Sequence, residues 1–262
     1  MTHDAQVMAH TAHMDGKRLG VNVFIGLTVL TVIEFFAATE LPSVFLLAVI
    51  ALIKAGLVMS YYMHIGKLNA NDEALDRHTY AYKTNTNRLG LWLFLLSDSF
   101  VFGGLLVVRF GLVGGEHIHL NQFLGLLVTA VLLISSFFMN RAEVSIEQGD
   151  RKGLINGTLI TLILGTIFLV GVVFVEWPLA SHEGITPSSG VDGATFYMMT
   201  GMHAFHVLTG LIFLGVILRN AMRGLYSPEK HFAVEAAAVY WHFVDVVWIF
   251  FYPALYLVGL GA

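Results

Sequence analysis

Cysteine is absent from this chain of 262 residues. Its absence excludes thiolate zinc sites, iron–sulfur clusters, catalytic thiols and disulfides, but it leaves histidine-based sites open. Charged residues are scarce as well, at 12% of the sequence, whereas hydrophobic residues make up 56% and the mean hydropathy is +0.74. Because soluble domains are far less apolar, the composition indicates an integral membrane protein. The net charge of -4 is too small to indicate a partner.

Seven stretches of about twenty mainly apolar residues are long enough to cross a bilayer as helices. They cover residues 19–39, 43–65, 89–113, 119–140, 154–177, 195–218 and 236–260. Backbone groups in lipid must be hydrogen-bonded internally, and the alternating pattern of a membrane barrel is absent. The sequence therefore predicts an all-α polytopic membrane protein with seven transmembrane helices.

The first eighteen residues are a polar tail that contains three histidines. His3, His10 and His13 could bind a metal adventitiously, but we interpret residues 1–18 as a solvated terminus. The apolar run that follows continues too far for a cleavable signal peptide and lacks an obvious small-residue cleavage site. We therefore expect it to remain as the first membrane anchor.

Basic residues indicate the orientation, because Lys and Arg collect in loops that stay in the cytoplasm. Twelve of the fourteen lie in the tail or in loops on one side, at 66–88, 141–153 and 219–235. The opposite loops contain none, and only Lys54 and Arg109 fall outside the pattern. The N-terminus is therefore predicted to lie inside and the C-terminus outside.

The polar loop before Arg88 divides the predicted spans into two groups. A two-helix hairpin at 19–68 is followed by a polar cytoplasmic linker at 69–88 and a five-helix bundle at 89–262. The outer loop 178–193 is rich in Gly, Ser and Pro and is predicted to be irregular. We find no internal repeat, so an inverted-repeat transporter gains no support.

Two opposite charges lie within the predicted hairpin, Glu34 in the first span and Lys54 in the second. At about 1.5 Å per residue their depths differ by about 6 Å, which a lysine side chain can cover. A charge at mid-membrane costs about 2.5–3.5 kcal/mol on insertion scales, and an ion pair would offset that cost. We favour a clamp that holds the hairpin together; a proton or ion relay is the alternative.

Four polar residues of the predicted bundle fall at similar depths in its inner half. They are Asp98, His206, His242 and Asp245. If their helices are adjacent, these side chains form one buried polar layer. Hydrogen bonds from Asp to His would then fix the imidazole tautomer and reduce the desolvation cost of both.

Histidines on facing helices could instead ligate haem or another metal, and His203, His206 and His242 are the candidates. His203 and His206 stand only three residues apart on one helix, and many polar partners surround them, so we favour hydrogen bonding and predict no metal site. Glu176, beside Trp177 at the outer end of its span, is interpreted as an interfacial cap; a relay is the alternative. Glu235 is a further candidate for a buried polar group.

Four motifs in the second half of the chain match a known family in the expected order. They are LGLWLFLLSDSFVFGGLL, LGTIFLVGVVFVEW, GATFYMMTGMHAFHVLTGLIFL and YWHFVDVVWIFFYPALYL. On these motifs, residues 85–260 resemble subunit III of haem–copper terminal oxidases. Two positions depart from the family pattern: Asp98 stands where a glutamate is usual, and Val173 where a glutamine is common.

The first two spans instead resemble subunit IV of bacterial cytochrome oxidases. This resemblance covers residues 19–68 and rests on VFIGLTVLTVIEFFAA and FLLAVIALIKAGLVMSYYMHIGKL. The simplest interpretation is a fusion of subunit IV to subunit III. The hairpin would then replace the usual opening helices of subunit III.

The resemblance implies an accessory subunit of cytochrome c oxidase in a bacterial plasma membrane. Such a subunit catalyses nothing alone and holds neither haem nor copper, which belong to its partners. It packs on subunit I beside subunit II, holds phospholipid and supports proton uptake, where Asp98 is the foremost candidate. The alternatives are a subunit of a quinol-oxidising relative, a secondary transporter that uses Asp98, Glu34 and Lys54, or a haem-binding cytochrome.

Overall fold

The structure is a computed structural model that describes residues 3–40, 43–63, 80–114 and 120–258, with side chains from Arg18 onward except at position 81. Within these ranges the chain is helical and contains no β-strand. Seven of its helical segments are long and apolar enough to cross a membrane. The predicted all-α class with seven spans is therefore confirmed.

Eight α-helices make up the described chain. Their bounds are α1 His3–Glu40, α2 Val44–Leu57, α3 Tyr80–Val108, α4 Gln122–Glu147, α5 Arg151–Val170, α6 Trp177–His182, α7 Val191–Met222 and α8 Phe232–Tyr252. Wider π-helical turns extend α2, α3 and α8 and join α5 to α6. These turns are Val58–Tyr62, Arg109–Val113, Pro253–Leu257 and Gly171–Glu176.

Helix boundaries differ from the sequence-based expectations at three places. α1 begins at His3, within the predicted tail, and α3 begins at Tyr80, within the predicted linker, whose earlier part lies outside the described residues. The outer loop 178–193 was predicted to be irregular, but its first residues continue a helix to His182. Pro178 is tolerated there because the wider π-helical turn lies directly before α6.

Short polar side chains fix where several helices begin. Ser43, Asn121 and Asp150 precede α2, α4 and α5, and each accepts a hydrogen bond from the backbone N–H three residues further on. Gly149 adopts a φ of 76°, a left-handed conformation that glycine allows at low cost, and it ends α4 directly before the Asp150 cap. The turn between α4 and α5 is therefore tight.

The last helix, α8, is the most deeply buried span and packs against α2, α3, α4 and α7. Small residues allow its large rings to approach neighbouring backbones. A Cβ added at Gly165 of α5 or Gly210 of α7 would lie 2.5 Å or 2.9 Å from the Trp241 ring. The indole N–H of Trp241 donates to Ser135 Oγ at 3.1 Å, so this ring is fixed from three sides.

Candidate functional site

Helix α8 carries His242 and Asp245 on the side that faces α4 and the first two helices. Both side chains are fully buried. Nδ1 of His242 lies 2.7 Å from Ser136 Oγ of α4, and its ring centre lies 5.0 Å from that of Tyr62. These contacts orient the imidazole between α4 and the end of the second span.

Asp245 lies one turn further along α8, in the same surroundings. Ser136 and Tyr62 are its polar neighbours, and the positive charge of Lys54 acts on its carboxylate. Within the part of the chain that the structure describes, the Ser136 hydroxyl, which also contacts His242, is the one hydrogen-bond donor beside this carboxylate. A buried carboxylate in this condition is costly, so Asp245 is a candidate for a functional group.

Glu34 and Lys54 join the first two spans by a buried ion pair. Lys54 Nζ lies 2.5 Å from Glu34 Oε2, and the exposed fractions of the two side chains are 1% and 0%. About two turns beyond Lys54, the Tyr62 hydroxyl donates to the Gly20 carbonyl at 3.0 Å. Helix α1 also packs on α4, and α2 packs on α8. The first two helices are therefore fixed to each other and to the remaining helices.

Asp98 and His206 form a second polar pair, between α3 and α7. Nε2 of His206 lies 3.4 Å from Asp98 Oδ2, and its Nδ1 lies 2.8 Å from the Met202 carbonyl oxygen. Because a carbonyl only accepts, Nδ1 must carry a hydrogen. Nε2 therefore faces Asp98 Oδ2, which has no hydrogen-bond partner among the described residues, and the contact joins α3 to α7.

The four residues expected in one layer thus lie in two groups. Asp98 meets His206, and His242 lies with Asp245 beside Ser136, Tyr62 and Lys54. Phe102 stands near the first pair, with its ring centre 4.7 Å from that of His206 and 6.0 Å from that of Phe243 on α8. Aromatic side chains of α3 and α8 therefore fill the side of α8 that faces Asp98.

His203 lies in aromatic surroundings and makes no polar contact among the described residues. It is 1% exposed, and its ring centre lies 4.9 Å from Trp248 and 5.6 Å from Phe168. Trp248 is itself held by a 2.9 Å hydrogen bond to Thr129 Oγ1. The three histidines considered as haem ligands therefore occupy three different environments, and the described ranges contain no cluster of three potential metal ligands.

The two remaining sequence candidates each have a partner from a different helix. Glu176, in the π-helical turn after α5, accepts a hydrogen bond from the Tyr256 hydroxyl. Glu235, in the first turn of α8, accepts two hydrogen bonds from Arg88, of 2.8 Å from Nε and 2.9 Å from Nη2. Each contact ties an end of α8 or its extension to a neighbouring helix.

The Arg88–Glu235 pair lies in a polar cleft of about 370 Å³ near the start of α3 and α8. Glu147, Glu229 and His231 also line this cleft. Glu229 lies in the exposed turn before α8, and hydrogen bonds from its own backbone N–H and from Ser227 hold its pKa below the usual range. The cleft therefore carries negative charge at neutral pH.

Three site residues, Ser136, Tyr62 and Arg109, were not predicted from the sequence. Arg109 is fully buried; its Nε donates to the Ala254 carbonyl at 3.0 Å and its Nη1 to the Gly114 carbonyl at 2.9 Å. It thereby holds the end of α3 against the π-helical extension of α8. A signal was available, since Arg109 is a basic residue outside the predicted charge pattern. Ser136 and Tyr62 gave no signal, because neither residue type is rare in a membrane helix.

Comparison with known sequences covers most of the chain. The sequence model of the family described as cytochrome c oxidase subunit III matches residues 10–260. Cytochrome c oxidase subunit 3 of Thermostichus vulcanus is 38% identical over 176 residues, which cover 64% of this chain and 86% of the relative. Quinol oxidase subunit 3 of Bacillus subtilis is 34% identical over 192 residues, which cover 69% of this chain and 92% of the relative.

The family match therefore includes both groups of buried polar residues and all seven candidate spans. A relative from a fish, cytochrome c oxidase subunit 3 of Tetraodon nigroviridis, is 38% identical over 187 residues, which cover 66% of this chain and 69% of the relative. Seven apolar helices and these relatives together indicate a multi-pass membrane protein. The chain belongs to the cytochrome c oxidase subunit III family of haem–copper oxidases.

Proposed function

We propose that this chain is a non-catalytic membrane subunit of a proton-pumping haem–copper cytochrome c oxidase in an aerobic respiratory chain. The observation that carries the proposal is the family match over residues 10–260. In this role the chain packs mainly on oxidase subunit I and also contacts subunit II. Haem and copper belong to those partners, this chain binds phospholipid, and it catalyses no reaction alone.

The pairing of ionisable side chains between helices supports a stabilising role. Glu34 contacts Lys54, Glu235 contacts Arg88, and Asp98 contacts His206, so each pair joins two helices of this chain. A subunit that holds a catalytic partner in place over many turnovers needs such rigid contacts at membrane depth, where an unpaired charge is costly. These pairs require no cofactor for their stability.

The proton-uptake part of the proposal rests on the Asp98–His206 pair. Asp98 and His206 are two acid–base side chains within 3.4 Å of each other, and both are partly exposed, at 19% and 11%. The pair is therefore not sealed within the helices of this chain. Aspartate has a shorter side chain than the glutamate usual in the family, and His206 compensates by lying next to it.

We propose cytochrome c as the electron donor of the complex, because the first two helices resemble the two-helix subunit IV of bacterial cytochrome oxidases. The alternative is quinol, which is supported by the Bacillus subtilis relative, a quinol oxidase subunit 3. Oxygen uptake by the purified complex with reduced cytochrome c, and separately with a quinol, distinguishes the two. Uptake with quinol alone would overturn the cytochrome c assignment.

We also propose that residues 19–68 form a subunit IV-like hairpin fused to a five-helix bundle, with the N-terminus inside a bacterial plasma membrane. The resemblance of this segment to subunit IV supports the fusion, and the distribution of Lys and Arg supports the orientation. Mass spectrometry of the purified complex tests the fusion. A separate subunit IV polypeptide of the same type in the complex would contradict it.

The accessory role is tested by affinity purification through a tag on this chain. In mild detergent, haem and copper should copurify with the chain and with an oxygen-reducing activity. In harsh detergent, the isolated chain should lose both metals and the activity. Haem retained by the isolated chain would contradict the proposal. The absence of haem and copper from both samples would also contradict it, and in that case substrate flux into liposomes by the single chain would support a transporter.

A further inference from the structure

A chain of buried polar groups lies where the first two helices contact α8. It contains Glu34 of α1, Lys54 of α2 and Tyr62 of the turn after α2, together with His242, Asp245 and Tyr252 of α8 and Ser136 of α4. All of these side chains are at most 1% exposed. Asp245 and Tyr252 are seven residues apart, so they lie on the same face of α8 and about 10 Å from each other along its axis.

Electrostatic interactions connect the two ends of this cluster. Lys54 acts on Asp245 at one end, and Glu34 acts on Tyr252 at the other. Yet the direct hydrogen bond from Lys54 to Glu34 Oε2 accounts for only one of the three N–H groups of the ammonium. The described residues provide no hydrogen-bond partner for Glu34 Oε1 or for the Tyr252 hydroxyl, and beside Asp245 they provide only the Ser136 hydroxyl, which also contacts Nδ1 of His242.

The remaining donors and acceptors match in number but do not touch. The donors are two N–H groups of Lys54 and the O–H of Tyr252. The acceptors are Oε1 of Glu34 and the two oxygens of Asp245. Buried polar groups without partners each cost free energy, whereas a water molecule is stable where it finds two to four polar partners. Water between these groups would provide the hydrogen bonds that they lack.

The charges of the cluster do not balance either. Glu34 and Asp245 are two carboxylates, and among the described residues Lys54 is the single ammonium beside them. The other titratable groups that face them are His242, Tyr62 and Tyr252, which are ordinarily neutral. Glu34 has the direct ammonium contact, so Asp245 is the carboxylate left without a counter-charge at hydrogen-bond distance. An uncompensated buried charge is strongly unfavourable.

We propose that bridging water molecules occupy the space between Lys54, Glu34, Asp245 and Tyr252, and that the cluster binds one proton, carried by Asp245 as carboxylic acid. The site is distinct from the Asp98–His206 pair, because aromatic side chains fill the other side of α8. It makes the contact between the first two helices and α8 a hydrated proton-binding site, which goes beyond the proposed accessory role.

Infrared spectroscopy of the membrane complex retained by a tag on this chain tests the proton. In the wild type, a carbonyl band of a protonated carboxylic acid should shift after exchange into heavy water, and Asp245→Asn should remove one such band. The matched control is Asp192→Asn, an exposed aspartate at the start of α7, which should leave the protonated bands unchanged. An unchanged spectrum in Asp245→Asn would overturn the proposal.

A density map of the wild-type complex tests the water and does not depend on the variant assembling. At a resolution that shows ordered water, density is expected within hydrogen-bond distance of both Asp245 and Lys54. A dry contact in which Lys54 donates directly to Asp245 would overturn the proposal. Both experiments need only the complex that this chain retains, so they remain informative if the electron donor or the partner subunits differ from those proposed above.

Discussion

Lys54 Nζ of α2 lies 2.5 Å from Glu34 Oε2 of α1, and the two side chains are almost completely buried. This contact joins the first two helices at membrane depth. Removing one member of a buried ion pair leaves an uncompensated charge, whereas replacing both members with neutral groups of similar shape is tolerated better. The contact therefore predicts that single substitutions lower stability far more than the double substitution does.

We expect Lys54→Met to destabilise the chain by about 3–5 kcal/mol, because Glu34 keeps its buried charge. The double variant Glu34→Gln with Lys54→Met should recover most of that loss. The measurement is the midpoint of thermal unfolding of the complex purified in mild detergent, with Glu34→Gln alone as the third corner of the cycle. Additive effects of the two single substitutions would contradict a direct interaction between the side chains.

The proposed role of the Asp98–His206 pair in proton uptake gives a second prediction. Asp98→Asn removes the acid and should leave assembly intact. The complex should then complete fewer turnovers before it inactivates, and its proton uptake should be slower. The matched control is Ser99→Ala, one residue further along α3, where the hydroxyl bonds the Leu95 carbonyl within the same helix. A role of Asp98 in proton uptake would be contradicted if Asp98→Asn inactivates at the same rate as the wild type and Ser99→Ala.

Some of these contacts could be predicted from the sequence, and others could not. The Glu34–Lys54 pair was predicted, and Asp98 and His206 were predicted to share one polar layer, because ionisable residues at similar depth in neighbouring spans have few other ways to be stabilised. The rotation of each helix about its axis could not be predicted. Helix α8 is apolar on nearly all sides, so its sequence does not indicate that His242 and Asp245 face away from Asp98.

The neutral residues that contact His242 and Asp245 could not be predicted from the sequence either. Ser136 and Tyr62 surround His242 and Asp245 in the structure, but serine and tyrosine are common in membrane helices and carry no charge pattern. Element boundaries failed where helices extend into polar segments, as at Tyr80, because hydropathy detects the lipid-embedded part of a helix and not its solvated end. Number and type of the spans followed from apolar length alone.

The bidentate contact between Arg88 and Glu235 gives a third prediction. Arg88→Lys keeps the charge but cannot form two parallel hydrogen bonds, so it should lower stability by up to about 1 kcal/mol at this partly exposed site. The loss should shrink at high salt, because exposed charges are screened. Thermal midpoints at low and high salt measure it, with Arg141→Lys, at an exposed position of α4, as the control. Equal midpoints for both variants would contradict the prediction.

The proposed orientation gives a fourth prediction, which the absence of native cysteine makes simple to test. A single cysteine introduced as Thr11→Cys should be protected in intact cells from a membrane-impermeant maleimide and should react after lysis. Ser188→Cys, in the exposed turn before α7, should react in intact cells. The opposite pattern would reverse the orientation of all seven spans.

Close packing of α7 on Trp241 gives the last prediction. A Cβ at Gly210 would lie 2.9 Å from the Trp241 ring, whereas a Cβ at Gly215, also on α7, would meet nothing within 4 Å. Both changes to alanine raise helix propensity by a similar amount, so their difference isolates the contact with the ring. We expect Gly210→Ala to lower stability by about 1–3 kcal/mol relative to Gly215→Ala, because overpacking displaces a buried ring.

The hydrogen bond from Trp241 to Ser135 makes this displacement measurable apart from stability. If Gly210→Ala pushes the indole away, the N–H loses its 3.1 Å contact and the fluorescence of the buried ring should shift, whereas Gly215→Ala should leave it unchanged. Equal thermal midpoints and equal spectra for the two variants would show that α7 and α8 are further apart than the structure places them. Since α8 carries His242 and Asp245, such a result would also weaken the placement of both polar groups.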